Sequence, residues 1–391
     1  MPLVTYFASF LNNLFIILFY AKIRNMNIIN IKDKSGKLYY VGGIVRDEIL
    51  GIENLDIDLI YEGNAIDYAK SQNLEIIQIN EPFKTVRVKI YGKSVDIAST
   101  RCETYPKAGH LPKVSDIGCS LMEDVNRRDF TINSLYKSVK TGEIIDFTGG
   151  LEDLKNKKLK VLHEKSFIED PTRILRALKF RMRFGFELDE ETEKLQIEYL
   201  KNINYDMCYQ RIKKELIELF GYKGKSKLNM NEAFEIFVNE NIYKLITQKT
   251  YKPSIPQDVY TSNYQWLTYV GLIEDLSRIP LSKNEQKILN DFAKIKNIKL
   301  KSDIEIYKAF QNCLAETAIL YGNTVNKNIA NHYLNNLKNV KLKITGQDLI
   351  NLGLKPSKDF QKIFDKVLIE KFKNPKMTKQ DELNLVKNYI L

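Results

Sequence analysis

The chain has 391 residues, 44% of them hydrophobic and only 10 of them proline, so it is long enough for two or three packed domains and is not a disordered polymer. A formal net charge of +11 points to a polyanionic partner, because clustered Lys and Arg displace counterions from phosphates; a solvated basic surface filled by an AT-rich coding bias is the plain alternative. Cys102, Cys119, Cys208 and Cys313 form no CxxC pair and the three histidines cannot complete a Cys/His zinc set, which speaks for a reducing cytoplasm and against structural zinc.

Tyr6 to Tyr20 is nearly all apolar, yet it contains Asn12 and Asn13 and falls short of the ~20 residues that a membrane helix needs. A secretory signal would carry its positive charge ahead of the apolar run, whereas Lys22 and Arg24 follow it. Met26 then leads into a strand, so residues 1–25 are expected to be a dispensable extension from a misassigned start rather than a membrane anchor. KLYYV at 37–41 predicts a strand, Gly42 and Gly43 a tight turn, and Ile44 to Leu50 a short helix stopped by Gly51. DIDLIY is a second strand, Asn64 to Ser71 a helix, and the β-rich runs Lys84 to Tyr91 and Ser94 to Thr100 are further strands. Arg101 to Ser120, with its Pro, Gly and Lys residues, reads as a long functional or mobile loop.

Beyond Glu152 the pattern turns helical. Pro171 to Phe184 is the best-defined helix, with Asp170 as N-cap, Pro171 in the first turn and Gly185 as the stop. Arg211 to Phe220 and Asp359 to Phe372 carry further helical faces without a fixed repeat. The expected fold is an α/β head on a small mixed sheet (26–150), a helical neck (151–222) and an all-α body and tail (223–391).

Asp56 and Asp58 are the first chemical constellation. On a strand, side chains at i and i+2 share a face, so both carboxylates project together and call for a cation. A pair of Mg²⁺ ions ~3.5–4 Å apart would satisfy them, activating a ribose 3′-OH and neutralising the phosphates, while a solvated strand end is the bland reading of a lone DxD. Gly42 and Gly43 sit between a strand and a helix start, where backbone N–H groups can approach a triphosphate. Arg46, one turn on, offers a bidentate fork for phosphate oxygens, and Asp47 caps or orients the helix.

Together these residues carry a resemblance. YVGGIVRDEILG followed by DIDL resembles the head motif of the polymerase β-type nucleotidyltransferases, in the version found in class II CCA-adding enzymes and bacterial poly(A) polymerases. RRDFTINSL, from Arg127 to Leu135, is similar to that family's second motif, and EDPTRILRALKFRMRFGFEL, from Glu169 to Leu188, to its nucleotide-selecting motif. YQRIKKELIELF and ITGQDLINLGLKPS extend the likeness into the tail, so that it runs in family order from Val41 to about Glu382.

The resemblance implies two-metal nucleotidyl transfer with Mg²⁺ on Asp56 and Asp58, and nucleotide contacts from Gly43, Arg46, Arg128, Asp170, Arg173, Arg176 and Lys179. It implies that Asp170 and Arg173 act as a protein template: a carboxylate accepts from the exocyclic amine of C or A and an Arg donates to ring acceptors, a pattern that U and G reverse. Arg173 and Arg176, three apart, share a helical face. Asp129 is read as the partner of a ribose hydroxyl or of Arg128, and Asp96 as a third carboxylate or the partner of Arg87. Lys179 stands where many relatives carry Arg, which removes bidentate geometry, and Gln210 replaces an acidic residue beside Arg211.

The expected activity is template-independent addition of CCA to the tRNA 3′ end from CTP and ATP in the cytoplasm, with no membrane and no stable protein partner. An A-adding enzyme or a poly(A) polymerase is the alternative, and a catalytically inactive RNA-binding protein a third. The 101–120 loop favours CCA, since the resemblance implies that CC-only relatives lack a flexible element here. GYKGKSK is not a P-loop, because Leu219 occupies its first glycine position. No His-Asp dipeptide occurs, so the phosphohydrolase domain fused to some relatives is not expected.

Overall fold

A computed structural model describes residues 33, 35–54, 56–251, 253 and 262–390, the last of these by its backbone. The expected dispensable extension, residues 1–25, lies outside the described residues. The chain forms two compact units: one runs to Ile212 and takes in Lys225–Leu245, and the other comprises Lys213–Gly224 and Ile246–Leu391.

The first unit opens with β1 (Leu38–Val41), helix α1 (Gly43–Leu50), β2 (Ile57–Tyr61), α2 (Ala65–Ser71), β3 (Glu75–Asn80), β4 (Thr85–Ile90) and β5 (Lys93–Ser99). After β6 (Arg101–Thr104), β7 (Lys113–Ile117) and α3 (Leu121–Val125) come β8 (Leu135–Ser138) and β9 (Ile144–Asp146). The main sheet has the order β3-β4-β5-β2-β1-β8-β9, and β2 with β5 is its parallel pair. In β4 the side chains of Val86, Val88 and Ile90 are buried and those of Arg87 and Lys89 face water, the period-two pattern of a sheet with one wet face. In β2 the same logic buries Ile57 and Leu59 and leaves Asp58 exposed, while Ile60, on Asp58's face, is buried in a separate core cluster. Val41, Ile60, Leu121, Val125 and Tyr136 close a core between sheet and α3.

Three strands lacked this signal in the sequence. β3 is an edge strand whose Ile77 and Ile79 are exposed, and β8 is buried at every position, including Lys137, which pairs with Glu48 at 2.6 Å. β9 is only three residues long. The stretch 101–120 is also not a bare loop: β6 and β7 make an antiparallel ribbon, Arg101 opposite Ile117 and Thr104 opposite Lys113. Its ends exchange ladder hydrogen bonds, and only the Pro- and Gly-bearing tip is irregular. That tip is docked, since Gly109 N donates to Glu169 O at 3.0 Å and Gly109 O accepts from Cys208 N at 2.9 Å. At its φ of +76° a Cβ on Gly109 would stand 2.8 Å from Met207 Cβ, so the close approach requires glycine.

Helices α4 (Gly150–Asn156), α5 (Ser166–Glu169), α6 (Thr172–Phe184), α7 (Glu190–Lys201), α8 (Tyr209–Phe220) and α9 (Met230–Asn239) follow, with a short parallel pair β10 (Lys158–Leu159) and β11 (Glu187–Leu188). α6 buries Ile174, Leu175, Ala177, Leu178 and Met182, and ends at Gly185 in the left-handed conformation that the sequence signalled. α9 packs on α6 and is started by a capping box, Asn229 with Glu232.

The second unit is helical: α10 (Trp266–Val270), α11 (Lys283–Ile295), α12 (Asp303–Phe310), α13 (Ala315–Thr324), α14 (Lys327–His332), α15 (Gly346–Asn351), α16 (Asp359–Lys373) and α17 (Lys379–Ile390). Ser282 with Glu285, Ser302 with Glu305 and Thr345 with Asp348 are capping boxes that fix the starts of α11, α12 and α15. Ile344, Leu349, Val367 and Val386 form a core around α15 to α17, beside a fully buried Lys371–Glu382 pair. Glu382 also accepts from Lys343 N at 2.7 Å and Ile344 N at 2.9 Å, so the buried carboxylate is well satisfied. Among the described residues no helix is long and apolar enough to cross a membrane.

Candidate active site

The glycine pair does local work first. Gly42, at φ 71° and ψ −127°, turns β1 into α1, and its carbonyl accepts from Arg46 N at 3.1 Å. A Cβ on Gly43 would lie 3.4 Å from Asn54 Nδ2 and 3.5 Å from Arg46 Nη2, so alanine would fit but narrow the approach to the turn. Arg46 is 3% exposed. Its Nε and Nη2 engage Asp47 Oδ1 at 2.7 and 2.6 Å, its Nη1 donates to Asn133 Oδ1 at 2.6 Å, and it lies over the Phe180 and Phe184 rings at 5.1 and 4.7 Å. The phosphate fork expected from sequence is thus occupied by protein groups.

From Arg46 a polar network joins the three motifs. Asp47 Oδ2 accepts from Asn54 Nδ2 at 2.9 Å, and Asn54 Oδ1 accepts from Asp56 N at 2.9 Å, which fixes the chain entering the acidic strand end. Asp47 also faces Arg183 Nη2 of α6 at 3.7 Å. On the other side Asn133 Nδ2 donates to Asp129 Oδ1 at 3.0 Å, and Asp129 Oδ2 receives Arg176 Nε and Nη2 at 2.8 and 2.5 Å. Asp129 therefore pairs with Arg176 rather than with Arg128. Burial alone would raise its pKa, but Arg176, the Asn133 hydrogen bond and Arg173 outweigh it and pull it to about 2.

Arg128 belongs to a second buried centre, Asp124, which sequence reading missed. Arg128 Nε and Nη2 reach Asp124 Oδ2 at 3.1 and 2.8 Å, Arg127 Nε reaches Oδ1 at 2.8 Å, and Tyr136 Oη donates to Oδ2 at 3.0 Å. Asn133 in RRDFTINSL was the other overlooked member. A side-chain amide on the 3₁₀ turn of a motif that also carries two Arg and an Asp was the available signal.

The acidic strand end is built differently. Asp56 and Asp58 are exposed, and among the described residues neither carboxylate has a hydrogen-bond or ion-pair partner from a side chain. Asp96, beside Asp58 across the parallel pair, is held by Arg87 through two contacts of 2.7 and 2.8 Å, so it serves as an ion-pair partner. Protein mass crowds Asp58 from the sheet side although its surface is open. That desolvation, with the charges of Asp96 and Asp56, pushes its pKa up to about 6. Two unsatisfied carboxylates forced together fit a hard cation. Among the described residues no group of three or more His, Cys, Asp or Glu side chains is arranged to hold a metal.

On α6 the expected selecting residues are close together but mostly enclosed. Asp170 stands just ahead of the helix, where Pro171 takes the cap position, and its Oδ1 accepts from Thr172 N and Oγ1 at 3.1 and 2.5 Å. The Asp170 Oδ2 atom meets Arg211 Nη2 at 2.5 Å. Arg173 is 2% exposed, with Nη1 on Ser166 Oγ at 2.6 Å and Nη2 on the Arg127 carbonyl at 3.0 Å. Arg176 is partly exposed and Lys179 is buried. Tyr105, on the β6–β7 ribbon, feels the charges of Arg173, Asp170 and Arg211.

The profile of the poly A polymerase head domain matches residues 38–160. An A-adding tRNA nucleotidyltransferase of Aquifex aeolicus is 48% identical over 166 residues, covering 41% of this chain and 20% of that protein, so the chain spans about a fifth of its length. Another, from Halalkalibacterium halodurans, is 28% identical across 90% of this chain and 88% of its own. The solved Thermotoga maritima CCA-adding enzyme, complexed with tRNA, superposes with a TM-score of 0.67 at 26% identity, covering 91% of this chain and 92% of that one. The matched head domain, the fold shared over nearly the whole length and the three linked motifs bear out the resemblance to the class II CCA-adding tRNA nucleotidyltransferases and bacterial poly(A) polymerases.

Proposed function

We propose that the chain extends tRNA 3′ ends without a nucleic-acid template, completing CCA from CTP and ATP with release of pyrophosphate. The carrying observation is the pair of unpartnered carboxylates, Asp56 and Asp58, whose strand is tied by Asn54 and Asp47 into the network that reaches α6. Nucleotidyltransferases of this family generally use a divalent metal ion. We take it to be Mg²⁺ held by Asp56 and Asp58, which supplies charge neutralisation at the phosphates when bound. Gly43 leaves room for the triphosphate, and Arg128, Arg176 and Lys179 give its surroundings positive charge. Arg46 stiffens the turn from within. Asp170 accepts from the amine of C or A, with Arg173 behind it. We assign chemistry to residues 26–150, base choice to 151–222, RNA grip to 223–391, and a cytoplasmic setting to the whole.

The names of the Aquifex and Halalkalibacterium relatives favour a second reading, in which this chain adds only the terminal A. Sequencing the products from tRNAs ending before CCA and after CC, with all four NTPs present, separates the two. Addition of C, C and A in order is expected. No extension of the first tRNA and a single A on the second would replace this reading with the A-adding one, and long A tracts would indicate a poly(A) polymerase.

A further inference from the structure

The two carboxylates of the acidic strand end are held in different ways. Asp58 lies inside β2, where the ladder sets it opposite Asp96, whereas Asp56 precedes the strand, whose pairing with β5 begins at Ile57 and Val95. The backbone N–H of Asp56 donates instead to a side chain, Asn54 Oδ1, at 2.9 Å. Two like charges this close in sequence repel, and without that tether the chain ahead of β2 could turn Asp56 away from Asp58 and relieve the repulsion. Asn54 is itself anchored. Its Nδ2 donates to Asp47 Oδ2 at 2.9 Å, and Asp47 is 1% exposed, gripped by Arg46 and faced by Arg183 of α6. On the way it passes the glycine turn, since Asn54 Nδ2 stands 3.4 Å from the place a Cβ on Gly43 would take. The two contacts demand opposite polarity, an acceptor for the Asp56 N–H and a donor for the Asp47 carboxylate, and one side-chain amide supplies both. An aspartate here would set a second carboxylate against Asp47, and a serine is too short to serve both partners.

We propose that Asn54 is a positioning residue for the divalent-metal site, holding Asp56 beside Asp58 and fixing the acidic strand end against the Gly42–Gly43 turn. It acts through Asp56 and touches neither ion nor nucleotide. A cation gains most from two carboxylates that are already held together in its absence, and the Asn54 bridge is the contact that ties the looser of the two to the buried network. The assignment rests on the preceding reading that Asp56 and Asp58 hold the metal.

The test titrates Mn²⁺ into the full, nucleotide-free chain and reads binding through water proton relaxation, for wild type, Asn54→Ala, Asn54→Ser and Asp58→Asn, with melting temperatures recorded without metal. Asn54→Ala is expected to raise the Mn²⁺ Kd by roughly 3- to 10-fold, the size of one net hydrogen bond, with little change in melting temperature because Asn54 is only partly buried. Serine keeps an acceptor for the Asp56 N–H but loses the Asp47 anchor, so its Kd should fall between the two; it carries the test if the alanine variant does not fold. The Mg²⁺ concentration for half-maximal incorporation should rise in parallel, while the KM for CTP and ATP at saturating Mg²⁺ changes little. Unchanged Mn²⁺ affinity in the Asn54 variants, or a raised nucleotide KM at saturating Mg²⁺ with metal affinity intact, would overturn the assignment. If Asp58→Asn binds Mn²⁺ as tightly as wild type, the metal reading fails and this role with it. If Asp58→Asn loses the ion and the Asn54 variants keep it, this role alone fails.

Discussion

At Asp129 a buried carboxylate accepts from Phe130 N, Asn133 Nδ2 and two Arg176 nitrogens, and these donors override burial to hold its pKa at about 2. At Asp58 an open strand end offers no donors, and desolvation with the charges of Asp96 and Asp56 lifts the pKa to about 6. The two sites lie in the same unit and are opposite in design. Around Asp129 the protein supplies every counter-charge itself, which gives rigidity; around Asp58 it leaves the charge open, and the proposed metal assignment rests on that difference.

The largest effect should come from removing one of the open charges. Asp58→Asn is expected to lower nucleotide incorporation at least ~10³-fold, since it removes one charge of the proposed metal site, while the melting temperature holds or rises because repulsion is relieved. Near-normal turnover with Mg²⁺ would show that this strand end is not the metal site. Asp129→Ala should do the reverse. A fully buried pair loses ~3–5 kcal/mol when one partner is removed, and the partial exposure of Arg176 discounts that to about 2–3 kcal/mol, readable by urea denaturation. A loss below 0.5 kcal/mol, within the roughly ±0.5 kcal/mol of an ordinary surface substitution, would mean the network is not the scaffold described.

Acid sharpens the contrast. Asp129 has a depressed pKa, so its contribution to stability is fully present above the unfolded carboxylate range and is lost as pH falls through about 2. Asp58 has a raised pKa, so the metal-free protein is favoured with Asp58 protonated and loses that advantage as pH rises through about 6. A cation competes with that proton. Affinity for Mn²⁺ or Mg²⁺, measured by titration, should therefore fall by up to about tenfold per pH unit below 6. Affinity that stays flat between pH 7 and 5 would contradict the Asp58 environment.

The smallest effect is expected at Gly43. Its φ is not in the left-handed region and an added Cβ meets neighbours only at 3.4 Å or more, so Gly43→Ala should keep the fold and raise nucleotide KM several-fold. A change in melting temperature without a change in KM would reassign this glycine to packing.

The parts of the molecule that were legible in the sequence are those whose constraint is local. Asp56 and Asp58 could be placed on one face from spacing alone, and α6 from its apolar period and its stop at Gly185. The partners of the buried charges could not be. Asn133 meets Arg46 across 87 residues, Arg176 meets Asp129 across 47, and Arg211 meets Asp170 across 41, and no periodicity reports such pairings. The same holds for β8, whose buried Lys137 breaks the expected alternation because Glu48 on α1 neutralises it. The β6–β7 ribbon reads as a loop in the sequence because its tip carries the strongest composition signal, while its paired ends are short and polar.

The parallel pairing of β2 with β5 has a kinetic consequence. Parallel strands cannot close through a tight turn, and here the connection consists of α2 and the antiparallel β3–β4 ribbon, which rest on local contacts. Closing β5 onto β2 is a longer-range event than forming that ribbon, and it also drives Asp96 against Asp58. The acidic strand end is therefore expected to form after the ribbon and against its own repulsion. If Asp56 and Asp58 hold the metal as proposed, a head whose β5 has not closed onto β2 should bind no cation, and metal binding would report a complete sheet.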